Sequence, residues 1–201
     1  KCIMASIKGA HLKHIRYDST TPQRIEKYLV REAWTKKQWK EWFDSKLNET
    51  LHNARKYVPF YQKYWLESEK SYEDLKNWPI ITKHIINKAP SEFIDTRFKK
   101  SQLYHDHTSG TTGTPLDIYL DYDSVKEQYA LFEARVKKKY NVELEDSWAI
   151  IGAQRVTNIN QKSPPYWVYN LSLKQLYLSS MHIATWSVID YVNALKKYQP
   201  K

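Results

Sequence analysis

The segment His107-Thr108-Ser109-Gly110-Thr111-Thr112-Gly113-Thr114-Pro115 carries the residue types best suited to holding a charged ligand. The chain has only 4 glycines in 201 residues, where average usage near 7% would give about 14. Two of them, Gly110 and Gly113, stand three apart here, with four hydroxyl side chains beside or between them. Glycine permits close backbone approach and positive φ, and Ser and Thr hydroxyls both donate and accept. A turn of this make-up can wrap phosphate oxygens with N–H and O–H donors. It has no net charge, so a metal ion or residues elsewhere must offset the charge of the ligand.

A polar hairpin turn built from the same residues is the plain alternative. The segment is not a Walker A loop, because no Gly-Lys-Ser/Thr follows, and no G-x-G-x-x-G dinucleotide fingerprint occurs. The elements around it must fix its ends. Residues 101–107 read as a strand entering the loop, and Leu116-Asp117-Ile118-Tyr119-Leu120 alternates as a strand leaving it. His105 and His107 fall on one face of the first strand, but no further ligand pair accompanies them, so no metal site is expected.

Upstream, residues 1–19 read as a loose basic lead-in. Thr21-Pro22 has the form of an N-cap followed by Pro at the first helical position, opening a helix to about Trp34. A second helix is expected from Thr35 to about Val58, with Trp39, Phe43, Leu47, Leu51, Ala54 and Val58 as its apolar stripe and Pro59 as its stop. Trp34, Trp39 and Trp42 read as core packing. Thr82 can cap a short helix over 83–88, and residues 90–94 read as a turn.

Downstream, Ser124-Val125-Lys126-Glu127 has the pattern of a capping box. Trp148–Gly152 is suited to a buried strand, Gln161–Asn170 to a Pro-locked loop packing aromatics, Gln175–Ser180 to a strand, and about 186–198 to a helix. Strands separated by a helix point to an α/β layer fold.

The string Thr108-Ser109-Gly110-Thr111-Thr112-Gly113-x-Pro115 resembles the nucleotide loop of the adenylate-forming, or acyl-activating, superfamily. Within it, Thr-Gly-Thr-Pro-Leu resembles the branch of phenylacetate–CoA ligases and the capsular-polysaccharide proteins called CapK. Tyr57-Val58-Pro59-Phe60-Tyr61, Trp78-Pro79-Ile80-Ile81-Thr82-Lys83 and Lys162-Ser163-Pro164-Pro165-Tyr166-Trp167 extend the resemblance along the chain. It implies an α/β fold: a helical N-terminal region over 1–100, then over 101–201 the start of a nucleotide-binding region with a mixed sheet and flanking helices, one incomplete domain overall.

It also implies that Thr108, Ser109, Gly110, Thr111, Thr112, Gly113 and Thr114 bind ATP or AMP with Mg²⁺. His182, at a strand end before a helix, matches a position bordering the acyl pocket, and Arg155 could reach a phosphate or carboxylate. The implied reaction joins a carboxylic acid to AMP and passes the acyl group to CoA or another acceptor. Many members carry a Lys in or just after the loop, where this chain has Thr114 and Leu116. The acidic Mg²⁺ residue, the ribose-binding Asp and the adenylation Lys of the family lie in parts that this sequence does not match. The expectation is therefore the N-terminal part of such a ligase, inactive by itself and completed by further chain, or a non-catalytic accessory protein of polysaccharide biosynthesis or export.

The net charge of +10 favours anionic partners, yet Lys and Arg are dispersed and no nucleic-acid motif accompanies them. No apolar run approaches the ~20 residues of a membrane span, and no signal peptide is read at the N-terminus. The single cysteine, Cys2, allows no internal disulfide and fits a reducing, cytoplasmic setting.

Overall fold

The computed structural model describes residues 1–67, 70–108 and 115–201. It has the mixed helix-and-sheet architecture expected, arranged as two compact units: residues 1–29 with 126–201, and residues 30–125.

The first unit is built on a three-stranded sheet of β3 (Trp148–Gly152), β4 (Trp167–Asn170) and β5 (Gln175–Ser179), in the order β3-β5-β4. β3 runs parallel to β5 and β4 antiparallel to it. Alternation along β5 separates two faces. Leu176 and Leu178 pack with Tyr166, and with Tyr191 and Ala194 of α7 (Val188–Tyr198), in the main apolar cluster. Gln175 and Tyr177 lie on the other side, in register with Trp148 and Ile150 of β3.

Two expectations change here. The segment before Asn170 does not stay a loop: after the cis Pro164–Pro165 bond the chain becomes strand β4. β3 forms where expected but is not buried, since among the described residues it pairs on one side only, leaving Ile151 55% exposed.

The largest correction is the N-terminus. Residues Cys2–Arg16 form a 15-residue helix, α1, rather than a loose lead-in. It has no side-chain cap, and Ile3, Met4 and Ile7 are exposed, so its own pattern signals little. Its hold is tertiary and polar. Asn170 Nδ2 donates to the Ala5 carbonyl at 3.0 Å, Leu171 N–H donates to Ser6 Oγ at 3.0 Å, and Ser172 Oγ donates to the Ser6 carbonyl at 2.8 Å. Gly9 faces this seam: a Cβ there would stand 2.1 Å from Asn170 Oδ1.

Helix α2 (Thr21–Glu32) starts one residue earlier than a Thr21 cap would require, with the Thr21 hydroxyl accepting from Asp18 N–H at 2.9 Å. Helix α6 (Tyr122–Phe132) also starts early. Asp121 Oδ1, not Glu127, accepts from the Ser124 N–H at 2.9 Å. Glu127 cannot close a capping box because its carboxylate accepts from Arg24 at 2.7 Å and from the Tyr28 hydroxyl at 2.5 Å. Beyond α6 the helix widens over Glu133–Lys137 and tightens over Lys138–Tyr140, ending at Asn141 in the left-handed region, φ 57°.

In the second unit, α3 (Lys36–Tyr57) opens with a true capping box: Thr35 Oγ1 accepts from Gln38 N–H, and the Gln38 side chain accepts from Thr35 N–H. Pro59 both stops α3 and starts α4 (Pro59–Leu66), where a missing N–H costs nothing. Only Leu51 of the expected α3 stripe is buried, and Phe43 is exposed. Trp34, Trp39 and Trp42 are half-buried and meet edge to face at 5.2–6.5 Å, with Arg31 over two of the rings. Thr82 caps α5 (Lys83–Lys88) as expected. Strands β1 (Tyr104–His107) and β2 (Asp117–Leu120) form an antiparallel hairpin.

Candidate functional site

The hairpin frames the glycine-hydroxyl segment. Thr108 N–H donates to the Leu116 carbonyl at 3.0 Å, and Leu116 N–H donates to Thr108 Oγ1 at 3.0 Å. These bonds close the neck between β1 and β2, so the segment leaves and re-enters one ladder. Among the described residues the Thr108 hydroxyl accepts from Leu116 N–H and donates to no partner, which leaves its proton for another acceptor. Of the expected loop residues, Thr108 is the one on view; Ser109, Gly110, Thr111, Thr112, Gly113 and Thr114 lie outside the described residues. On the strands, His105 Nε2 meets Asp117 Oδ1 at 2.7 Å and its ring stacks on Tyr119 at 4.9 Å. Lys100 Nζ stands 4.6 Å above the Tyr119 ring. Asn87 Nδ2 reaches the Pro115 carbonyl at 3.4 Å.

The other expected residues lie in the first unit. His182 is buried, stacked on Tyr166 at 5.3 Å. Its Nδ1 meets Ser179 Oγ at 2.8 Å and its Nε2 meets the Asn158 carbonyl at 3.0 Å. Both ring nitrogens are thus engaged by protein atoms, and the imidazole ties the end of β5 to the 153–163 segment. Arg155 and Lys162 are exposed, and among the described residues Arg155 makes no hydrogen bond or ion pair. The segment 153–163 carries Arg155, whereas His182 faces inward beneath it.

Sequence reasoning missed a second constellation. A cavity of about 300 Å³ lies over the β3–β5 face opposite α7. Its walls come from α1 and the residue after it (Lys13, Arg16, Tyr17), α6 and its extension (Tyr129, Phe132, Lys137), the strands (Trp148, Gln175, Tyr177) and the β4–β5 turn (Lys174). In its floor Lys137 Nζ pairs with Glu133 Oε2 at 2.8 Å, side chains 5% and 3% exposed. The Tyr17 hydroxyl donates to Glu133 Oε1 at 2.8 Å. Burial, then the adjacent Glu133 carboxylate, pushes the Tyr17 phenol well above its usual range, so it stays a donor. Lys13 and Lys174 share Glu145 at 3.3 and 3.2 Å. Lys174 holds a left-handed backbone, φ 47°, and its ammonium also donates to the Glu145 carbonyl at 2.6 Å. Arg16 lies 4.2 Å over the Tyr129 ring.

Gln175 is 2% exposed, and its Oε1 has no hydrogen-bond partner among the described residues. The Glu133/Lys137 spacing on an otherwise apolar helix face (Ala130, Ala134) was a readable signal for a buried pair. Nothing local marked Gln175. Among the described residues no group of three His, Cys, Asp or Glu side chains could hold a metal ion, and no helix is long and apolar enough to cross a membrane.

No family model matches the chain, and no solved structure matches it. Over 200 residues the chain is 26% identical to Protein CapK of Staphylococcus aureus, an alignment covering 99% of this chain and 44% of that protein. The chain therefore spans less than half the length of this relative. The similarity to CapK read from short motifs extends over essentially the whole chain.

Proposed function

We propose that this chain forms the phosphate-binding part of an ATP-dependent, AMP-forming carboxylate-activating ligase that acts in capsular polysaccharide biosynthesis. The observation that carries the reading is the hairpin neck at Thr108 and Leu116, which brackets a segment holding half the glycines of a glycine-poor chain. The similarity to CapK supports it. In this reading Thr108 through Thr114 surround the phosphates of ATP with N–H and O–H donors. The free Thr108 proton fits that donor set, whereas no Mg²⁺ position follows from the described residues.

ATP supplies an activated α-phosphorus, and the substrate carboxylate is itself the nucleophile, so no general base is required. The chain's own contribution is electrostatic: donors fixed before the reaction stabilise charge that builds on the phosphate oxygens. Arg155, exposed and without a hydrogen bond or ion pair among the described residues, is a cation of the first unit suited to a carboxylate or phosphate. His182 holds the segment that carries it. CoA or another acceptor would then take the acyl group. The 201 residues alone should bind ATP weakly and release no pyrophosphate.

A non-catalytic nucleotide-binding or accessory role is the second reading. Thr114 and Leu116 favour it, since they stand where many members of the resembling superfamily carry a lysine. Titration calorimetry with ATP and Mg²⁺ separates nucleotide binding from a plain turn. The intact chain should give a measurable isotherm and the Gly110→Val/Gly113→Val double variant none. Equal traces for the two proteins would remove the loop from the account. Pyrophosphate release by a longer chain containing these residues distinguishes the ligase from the accessory protein.

A further inference from the structure

From the first-unit cavity we infer a second binding site, for a compact organic phosphate monoester whose body carries a hydroxyl or amine donor. The inference does not rest on the ATP loop, because every wall residue belongs to the first unit.

Three features define the ligand. The first is charge. Lys13, Arg16 and Lys174 line the walls against the single carboxylate Glu145, while Lys137 is neutralised by Glu133. Three cations less one anion leave an excess of two positive charges. A phosphate monoester carries about −1.5 to −2 at neutral pH, which matches that excess, whereas a monocarboxylate leaves one cation uncompensated. Arg16 makes no ion pair among the described residues, and its contact with the Tyr129 ring leaves guanidinium donors for an oxyanion.

The second feature is the unpartnered acceptor. Gln175 lines the cavity at 2% exposure with Oε1 unbonded. A buried acceptor left unmatched costs roughly 1–3 kcal/mol, and a ligand O–H or N–H would remove that cost. The reversed amide orientation would orphan a donor instead, which a ligand hydroxyl also satisfies. The third is shape. The rings of Phe132, Trp148 and Tyr177 line a space of about 300 Å³. That is the lower end of the usual ~300–1,000 Å³ range for ligand pockets. It admits a single ring or a single sugar bearing a phosphate.

Calorimetry on the 201-residue chain tests this with glucose 1-phosphate, 4-hydroxyphenyl phosphate and inorganic phosphate. At least one organic ester should bind about tenfold or more tighter than inorganic phosphate, and tighter binding of one ester identifies the body as sugar or aryl. Arg16→Met, at the rim, should weaken the preferred ester about tenfold. Gln175→Leu should weaken it by a similar factor while leaving binding of inorganic phosphate unchanged. Should Gln175→Leu fail to fold, Arg16→Met still decides the matter. No binding of either ester, inorganic phosphate binding as tightly as both, or unchanged ester affinity in Arg16→Met would each overturn the proposal.

Discussion

The two units hold themselves together by different means. Among the described residues, the unit of residues 1–29 and 126–201 buries Ile15, Ile25, Ala130, Ala134, Val142, Tyr166, Val168, Leu176, Leu178, Tyr191 and Ala194. Among its described residues, the unit of residues 30–125 buries the apolar side chains Leu51, Trp65 and Val125 alone. In their place stand half-buried aromatic clusters. Trp34, Trp39 and Trp42 form one, and Phe60, Tyr61, Trp78 and Phe93 form another, with Phe60 stacked on Phe93 at 4.5 Å. The first unit therefore depends on a sheet packed against helices and on buried polar pairs, the second on local caps and ring edges. A layered unit can enclose a cavity with a buried, unsatisfied amide. The unit held by caps and rings instead presents a hairpin.

Substitutions can break this comparison, and the largest effect is expected in the layered unit. Glu133→Ala would leave Lys137 buried without its carboxylate, costing about 3–5 kcal/mol. Chemical denaturation followed by circular dichroism should show it. Gly9→Ala comes next. The new methyl would collide with Asn170, which is held by the Ala5 carbonyl and by Leu173 N–H at 3.1 Å. Overpacking of about 1–3 kcal/mol, offset by up to ~1 kcal/mol of helix propensity, leaves a net loss on the same assay.

Acid sharpens the comparison further. Burial alone would raise the Glu127 carboxyl, but the Tyr28 hydroxyl, Lys27 and Arg24 together hold it below its ordinary value of 4.5. Asp18 is lowered by hydrogen bonds from Lys126 and Thr20. A depressed folded pKa adds stability above the unfolded value, and that stability is lost as pH falls through the folded one. Both carboxylates join the α2 and α6 regions, so the first unit should weaken as pH drops below about 4.5. Glu127→Gln should lower stability at pH 7 by roughly 1–2 kcal/mol and flatten that acid limb in a pH series of denaturation curves. The smallest effect belongs to the second unit. Thr35→Ala removes one half of the capping box and should cost about 1 kcal/mol in the same measurement.

What the sequence made legible follows this division. The helix start near Thr35, the cap at Thr82, the hairpin strands, β5 and α7 are local patterns, and each formed. Helix α1 escaped because its stability comes from Asn170 and Ser172, more than 150 residues away. The capping box at Ser124 failed for a related reason: Glu127 is claimed by partners on α2, about a hundred residues distant. β4 was hidden by the prolines before it. For the candidate sites, the glycine-hydroxyl segment announces itself by composition. Gln175 does not, because an unmatched amide is a property of its surroundings and not of its type. His182 was visible as a residue but not as a hydrogen-bonded tie, since both its partners come from the tertiary fold.

Backbone amide NMR of the ¹⁵N-labelled chain, titrated with ATP and Mg²⁺, tests the central claim most directly. The account predicts that the first and largest shifts fall on residues 108–116, while the amides of 13–17 and 172–177 stay in place. Shifts confined to those cavity segments, or no shifts between Thr108 and Leu116 at millimolar ATP, would contradict it.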